Sequence, residues 1–145
     1  MGPHGMAQVF PVVRSITVCD YITVDYGGRA GRPERVSLEG IAATIRIPEG
    51  PSFPFSRDLR VFVQLTEARG TAAIGLTILS ASTGEAIYSS DDRRVEFGTD
   101  PLAVRGFPFR IRRVPFPRAD YYSVQFRYNG VVVAEQTVRV IGGEP

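Results

Sequence analysis

A period of two constrains this chain more than any other feature of its sequence. Tyr122, Val124, Phe126 and Tyr128 alternate with Ser123, Gln125 and Arg127. After Asn129-Gly130 come Val132, Ala134, Val138 and Val140, set against Glu135, Thr137 and Arg139. Successive side chains of a strand point to opposite faces, so this pattern describes strands with one apolar and one polar surface. The same alternation runs through Leu59, Val61, Val63 and Leu65, and through Ala72, Ile74, Leu76 and Ile78. No segment of ten residues or more carries an apolar stripe at helical spacing. The chain therefore reads as all-β.

Turn chemistry punctuates the strands. With 15 Gly and 11 Pro in 145 residues, breaks fall at Gly27-Gly28, Pro48 to Pro54, Thr83-Gly84, Asp91-Asp92 and Asn129-Gly130. The first strand is expected from Ser15 to Asp25, with Ile16, Val18, Ile22 and Val24 on one face. Val36 and Leu38 share a phase that flips at Gly40 before Ile41, Ala43, Ile45 and Ile47, the signature of a β-bulge or a bend between sheets. For the last hairpin, a two-residue type I′ loop would pair Phe126 with Val133 and Val124 with Glu135. A three-residue loop, Tyr128-Asn129-Gly130, pairs Phe126 with Val132 and Val124 with Ala134; register follows the buried face, so the longer loop is expected. About seven to nine strands at spacings of about 10–15 residues predict a β-sandwich or a small barrel; an antiparallel sandwich, Greek-key and immunoglobulin- or C2-like, is preferred because the Pro48–Pro54 stretch suits a crossing between sheets. One domain is expected over 15–141, with 1–14 as a tail or first edge segment and 142–145 as a C-terminal tail.

Composition excludes several chemistries. All 17 basic residues are arginine, so lysine-based catalysis is ruled out, and the net charge is only +2. The single cysteine, Cys19, leaves no intrachain disulfide and fits a reducing compartment. Residues 1–16 lack a signal-peptide pattern and no run approaches 18 apolar residues, so a cytoplasmic chain without a membrane span is expected. The only histidine, His4, lies in a Gly/Pro-rich leader, which leaves no nucleophile–histidine pair and too few ligands for zinc. No Gly-rich phosphate loop precedes a helix pattern. The expectation is a protein that is not an enzyme and takes no metal or cofactor.

Three constellations remain. Asp20 lies in phase with Ile16, Val18, Ile22 and Val24, which marks it as a buried structural carboxylate. Such a group must accept backbone amides or an arginine near a sheet end, unless a bulge turns it outward. Cys19, on the alternate face, reads as a small packed residue. Asp91-Asp92 with Glu85 and Asp100 invites a calcium reading, opposed by the adjoining Arg93 and Arg94, so turn chemistry is preferred. The stretch Arg105–Arg118 holds five arginines (Arg105, Arg110, Arg112, Arg113, Arg118), three phenylalanines (Phe107, Phe109, Phe116) and no acid. On a strand, Phe109 and Ile111 face the core and Arg110 and Arg112 face out. Arg110, Arg112, Arg113 and Arg118 are the candidate interaction face. Alternation separates the rings from the cations and the net charge is small, which disfavours nucleic acid.

The segments Cys19-Asp20-Tyr21, Val24-Asp25-Tyr26-Gly27-Gly28 and Ser37-Leu38-Glu39-Gly40-Ile41, with the late Tyr-x-Val-x-Phe-x-Tyr-Asn-Gly hairpin, resemble a family of small bacterial domains of unknown function. The resemblance implies a stand-alone sandwich and no particular reaction or ligand. The expected role is protein interaction or assembly, with another protein or a second copy as partner through an edge strand. The alternative is binding of an anionic ligand or nucleic acid through Arg105–Arg118.

Overall fold

A computed structural model describes residues 10–25, 35–47 and 53–142. Among them there is no helix, and eleven strands: β1 (Val12–Cys19), β2 (Tyr21–Asp25), β3 (Arg35–Glu39), β4 (Thr44–Arg46), β5 (Phe55–Thr66), β6 (Gly70–Ser80), β7 (Ala86–Ser89), β8 (Arg93–Gly98), β9 (Arg105–Phe116), β10 (Asp120–Tyr128) and β11 (Val131–Ile141). They form a three-stranded sheet in the order β1-β5-β9 and a larger sheet in the order β4-β11-β10-β6. Both β7 and β8 lie along the far side of β6, and β2-β3 is a separate ribbon. Every pairing is antiparallel except β11 with β4. Neither large sheet closes into a barrel.

Alternation sets what is buried. Val61, Val63, Leu65, Phe109 and Ile111 from the three-stranded sheet join Ile74, Leu76, Ile78, Val124 and Phe126 from the larger one in a single apolar cluster. Three aromatic pairs reach from one sheet to the other: Phe109–Phe126 at 6.3 Å, Phe97–Phe107 at 5.4 Å and Phe116–Tyr122 at 5.1 Å between ring centroids, all edge-to-face. Each such geometry adds about 0.5–1.5 kcal/mol beyond area burial.

The strand count exceeds the seven to nine expected because two runs break. Ser15 to Asp25 is not one strand; the chain bends at Asp20, so Ile16 and Val18 enter the core while Ile22 and Val24 are carried into the ribbon. The phase flip at Gly40 is a bend: φ is 68° there, β3 ends at Glu39 in the ribbon, and β4 begins at Thr44 in the larger sheet. β1 begins at Val12, inside the expected tail or edge segment, and is an edge strand. The connection from β4 to β5 passes from the larger sheet to the three-stranded one. His4, Gly27-Gly28, the loop to Glu34 and most of the Pro48–Pro54 stretch lie outside the described residues.

The final hairpin corrects the expected loop. Asn129 and Gly130 both have positive φ, 50° and 82°, and Tyr128 pairs with Val131, so the loop has two residues. The change of phase occurs one step later. Arg127 pairs with Val132 but Phe126 with Ala134, so Val133 is the extra residue of a bulge. Beyond it Val124 faces Gln136 and Tyr122 faces Val138. A tight turn and a bulge together do what the longer loop was expected to do alone.

Candidate functional site

In β9, Phe107, Phe109, Ile111, Val114 and Phe116 are buried while Arg110 and Arg112 are exposed. Arg110 stands directly opposite Arg60 of β5. None of Arg60, Arg110 and Arg112 is in an ion pair among the described residues. Arg113 is also exposed but marks a bulge: its φ is 54°, and its amide donates to Asp58 Oδ1 at 2.8 Å. The other two arginines of the stretch are engaged elsewhere. Arg105 Nη1 donates to the Phe97 carbonyl (3.0 Å). Arg118 leaves the expected face altogether, donating to Ser80 Oγ (3.0 Å) and lying 4.0 Å from Asp120. The outer face thus keeps Arg110 and Arg112, and gains Arg60, which the sequence pattern did not single out.

The Arg118 corner was not anticipated. Asp120 Oδ2 accepts hydrogen bonds from Ser80 Oγ (2.7 Å), Ser82 Oγ (2.6 Å) and the Ser82 amide (3.1 Å), and Oδ1 accepts the Tyr121 amide (2.8 Å). The Ser82 hydroxyl first, and then that of Ser80, hold the carboxyl down to about 2. Beside it, the buried Tyr122 donates its hydroxyl to the Arg118 carbonyl at 2.6 Å. A tyrosine at a strand start tied to the backbone four residues upstream is a tyrosine corner. Burial raises its phenol above the ordinary value. The signal was available, as a Tyr in core phase just after the turn Pro117-Arg118-Ala119-Asp120.

Arg127 forms a second junction, on the outer face of the larger sheet. Nη1 donates to the Leu76 carbonyl (2.9 Å), to Ser89 Oγ (2.9 Å) and to Thr77 Oγ1; Nη2 donates to the Ser90 carbonyl (2.6 Å) and Asp92 Oδ1 (3.0 Å). The guanidinium lies where a Cβ on Gly75 would be, so a larger residue there would displace the Arg127 side chain. Asp92 is thereby engaged, and Asp100 Oδ1 accepts the Leu102 amide at 2.9 Å within its own turn. Among the described residues, no three His, Cys, Asp or Glu side chains cluster so as to hold a metal ion.

Asp20 corrects a second expectation. The bend between β1 and β2 turns it out of phase, leaving its side chain 45% exposed rather than buried, and its Oδ1 accepts Arg57 Nη2 at 2.6 Å. Its amide donates to the Glu39 carbonyl (2.9 Å), and a Cβ on Gly40 would overlap its carboxylate. Asp20 therefore locks the joint at which the ribbon leaves the sheets. Cys19 is buried next to it, and burial pushes the thiol up, away from the reactive thiolate. The segments around Cys19-Asp20 and Glu39-Gly40 meet at this joint.

The ribbon creates a feature with no signature in any one segment. Ile22, Val24, Val36 and Leu38 are half-buried while their neighbours along the strands are exposed. Val36, Leu38 and Arg35 overlie the outer face of the three-stranded sheet and bound a cleft of about 430 Å³. Its floor is two cross-strand rows. Ser15, Gln64 and Gly106 stand in register in one row; Thr17 and Phe62 stand in the next, with Pro108 beyond. Val104 stands at the rim, 57% exposed.

The sheet margins differ as well. β9, an edge strand, carries Pro108 and Pro115, which lack a donor, and the Arg113 bulge. β11 is paired by β4 only along Arg139–Ile141. On that side Val131–Val138 has no paired strand among the described residues, and Val131 and Val132 are 43% and 46% exposed. No helix among the described residues is long and apolar enough to cross a membrane. No family model matches the chain, and no curated protein matches its sequence.

Proposed function

We propose that this chain is a non-catalytic β-sandwich of Greek-key, immunoglobulin-like order that acts as an assembly module, pairing with a second copy through β11. Support for the architecture comes from the β1-β5-β9 and β11-β10-β6-β7 orders, which parallel the two sheets of immunoglobulin-type domains, with β2-β3 inserted after the first strand. The Tyr122 corner at the start of β10 and the three aromatic pairs between sheets support it further. The single observation that carries the function is the Val131–Val138 margin of β11, unpaired among the described residues and bearing two exposed valines, set against a β9 margin closed by proline and a bulge. Two antiparallel copies of one edge are self-complementary about a two-fold axis. A cytoplasmic setting belongs to the same reading, supported by the lone buried thiol. Light scattering on a size-exclusion column at high micromolar concentration tests assembly. A dimer is expected for the 15.9 kDa chain, reduced to monomer by V131K/V132K. A monomer for the parent chain overturns it.

One observation favours a second reading, in which an anionic polymer binds Arg60, Arg110 and Arg112. Like charges directly opposite one another on neighbouring strands repel, and Arg60 and Arg110 are so placed. Retention on heparin at low salt, abolished by R110E/R112E, is its expected signature.

A further inference from the structure

We infer that the cleft beneath the β2-β3 ribbon is a binding site for a small apolar carboxylate. The inference goes beyond the assembly reading and involves a different face of the molecule. The argument begins with the floor. Gly106 stands where any side chain would meet the Phe62 ring, so the ring lies over the glycine in the floor of the cleft and is itself only 5% exposed. Val36 and Leu38 face it from the ribbon, with Val104 at the rim, so the lining combines apolar side chains with the polar ones of Ser15, Thr17, Gln64 and Arg35. At about 430 Å³ it lies within the range of small-molecule sites, about 300–1,000 Å³.

Polarity then selects the ligand. Ser15 Oγ donates to Gln64 Oε1 at 3.2 Å, which fixes the amide and leaves the Gln64 NH2 group as a donor beside Thr17. Arg35 is the one charged residue of the lining, with Asp25 opposite it across the ribbon, and a guanidinium is a planar fork suited to a carboxylate. No acidic residue lines the cleft, and Arg35 is in no ion pair among the described residues. An apolar body against Phe62, Val36 and Leu38, with its carboxylate toward Arg35 and the Gln64 amide, satisfies both halves. A neutral molecule makes no use of the one cation in the lining; a strongly hydrophilic anion makes no use of Val36, Leu38 and Val104. Cleft geometry and the sign of its one charge thus point to the same class.

The test is a titration of the isotope-labelled protein with octanoate, followed by amide and side-chain NMR shifts, with 1-octanol as the neutral control. Expected are saturable shifts at Gly106, Thr17 and the Gln64 side-chain NH2, and binding of 1-octanol weaker by about tenfold. R35Q, at an exposed position, should weaken octanoate by about tenfold and leave 1-octanol unchanged. V104W, at the exposed rim, should block both ligands while the rest of the spectrum keeps its dispersion. No saturable shift with octanoate, shifts centred away from the cleft, equal affinity for the two ligands, or indifference to R35Q would each overturn the proposal. None of these results bears on the oligomeric state, so the failure of one reading leaves the other standing.

Discussion

Arg110 and Arg127 occupy equivalent places: each follows a core phenylalanine, on the outer face of one of the two large sheets. Their surroundings could hardly differ more. Arg127 keeps only 14% of its side chain exposed and reaches two carbonyls, two hydroxyls and a carboxylate, tying β10 to β6 and to the β7–β8 connection. Arg110 faces Arg60 across the ladder and has no acidic partner among the described residues. An arginine-rich composition therefore says little about binding by itself. What matters is whether a guanidinium's donors are already satisfied inside the fold.

The largest effect should follow from breaking the satisfied member. R127A removes a nearly buried cation, strands the Ser90 carbonyl and leaves the Leu76 carbonyl with the Ser90 amide alone, so a loss of about 3 kcal/mol is expected by urea denaturation. R127K should recover only part of it, because an ammonium lacks the fork that reaches both carbonyls at once. A variant as stable as the parent would erase the contrast between the two arginines.

Next comes the corner that takes Arg118 away from the expected face. D120N should cost about 2 kcal/mol at pH 7, since four donors converge on a charged acceptor. The folded carboxyl titrates at about 2, below its ordinary unfolded value of about 3.9. Its contribution is therefore complete above the unfolded value and disappears as pH falls from about 4 toward 2. Melting curves of the parent and D120N should accordingly converge over that interval; a constant gap would show that the serine hydroxyls do not stabilise the ionised form. A smaller effect, about 1 kcal/mol, is expected for Y122F, which keeps the ring against Phe116 and loses only the bond to the Arg118 carbonyl.

These residues also show how far the sequence could be read. Alternation identified the core strands directly, because burial on one face repeats every second residue: Val61, Val63, Ile74, Leu76, Val124 and Phe126 are all fully buried. It failed where one residue breaks the phase. Asp20 was in register with Ile16 and Val18 until the chain bent, and Val133 reset a ladder that the expected three-residue loop did not need to reset. Arg118 followed four other arginines in sequence, yet the turn after β9 directs it to Ser80, whose neighbourhood is assembled from strands 38 residues apart. The cleft was invisible for the same reason. Ser15, Gln64 and Gly106 become neighbours only through cross-strand register, and no local pattern links them.

The smallest expected effect on stability is the most informative about function. R110A/R112A removes two exposed guanidiniums that are in no ion pair among the described residues, so the midpoint of denaturation should move by less than about 0.5 kcal/mol in either direction. Relief of the Arg60–Arg110 repulsion could even make the variant slightly more stable. A side chain whose removal leaves folding unchanged remains available for a surface role, and retention on heparin measured with the same double variant then reads that role without interference from unfolding. A loss as large as that of R127A would mean that Arg110 and Arg112 serve the fold instead, and the arginines on the two sheets would no longer be different in kind.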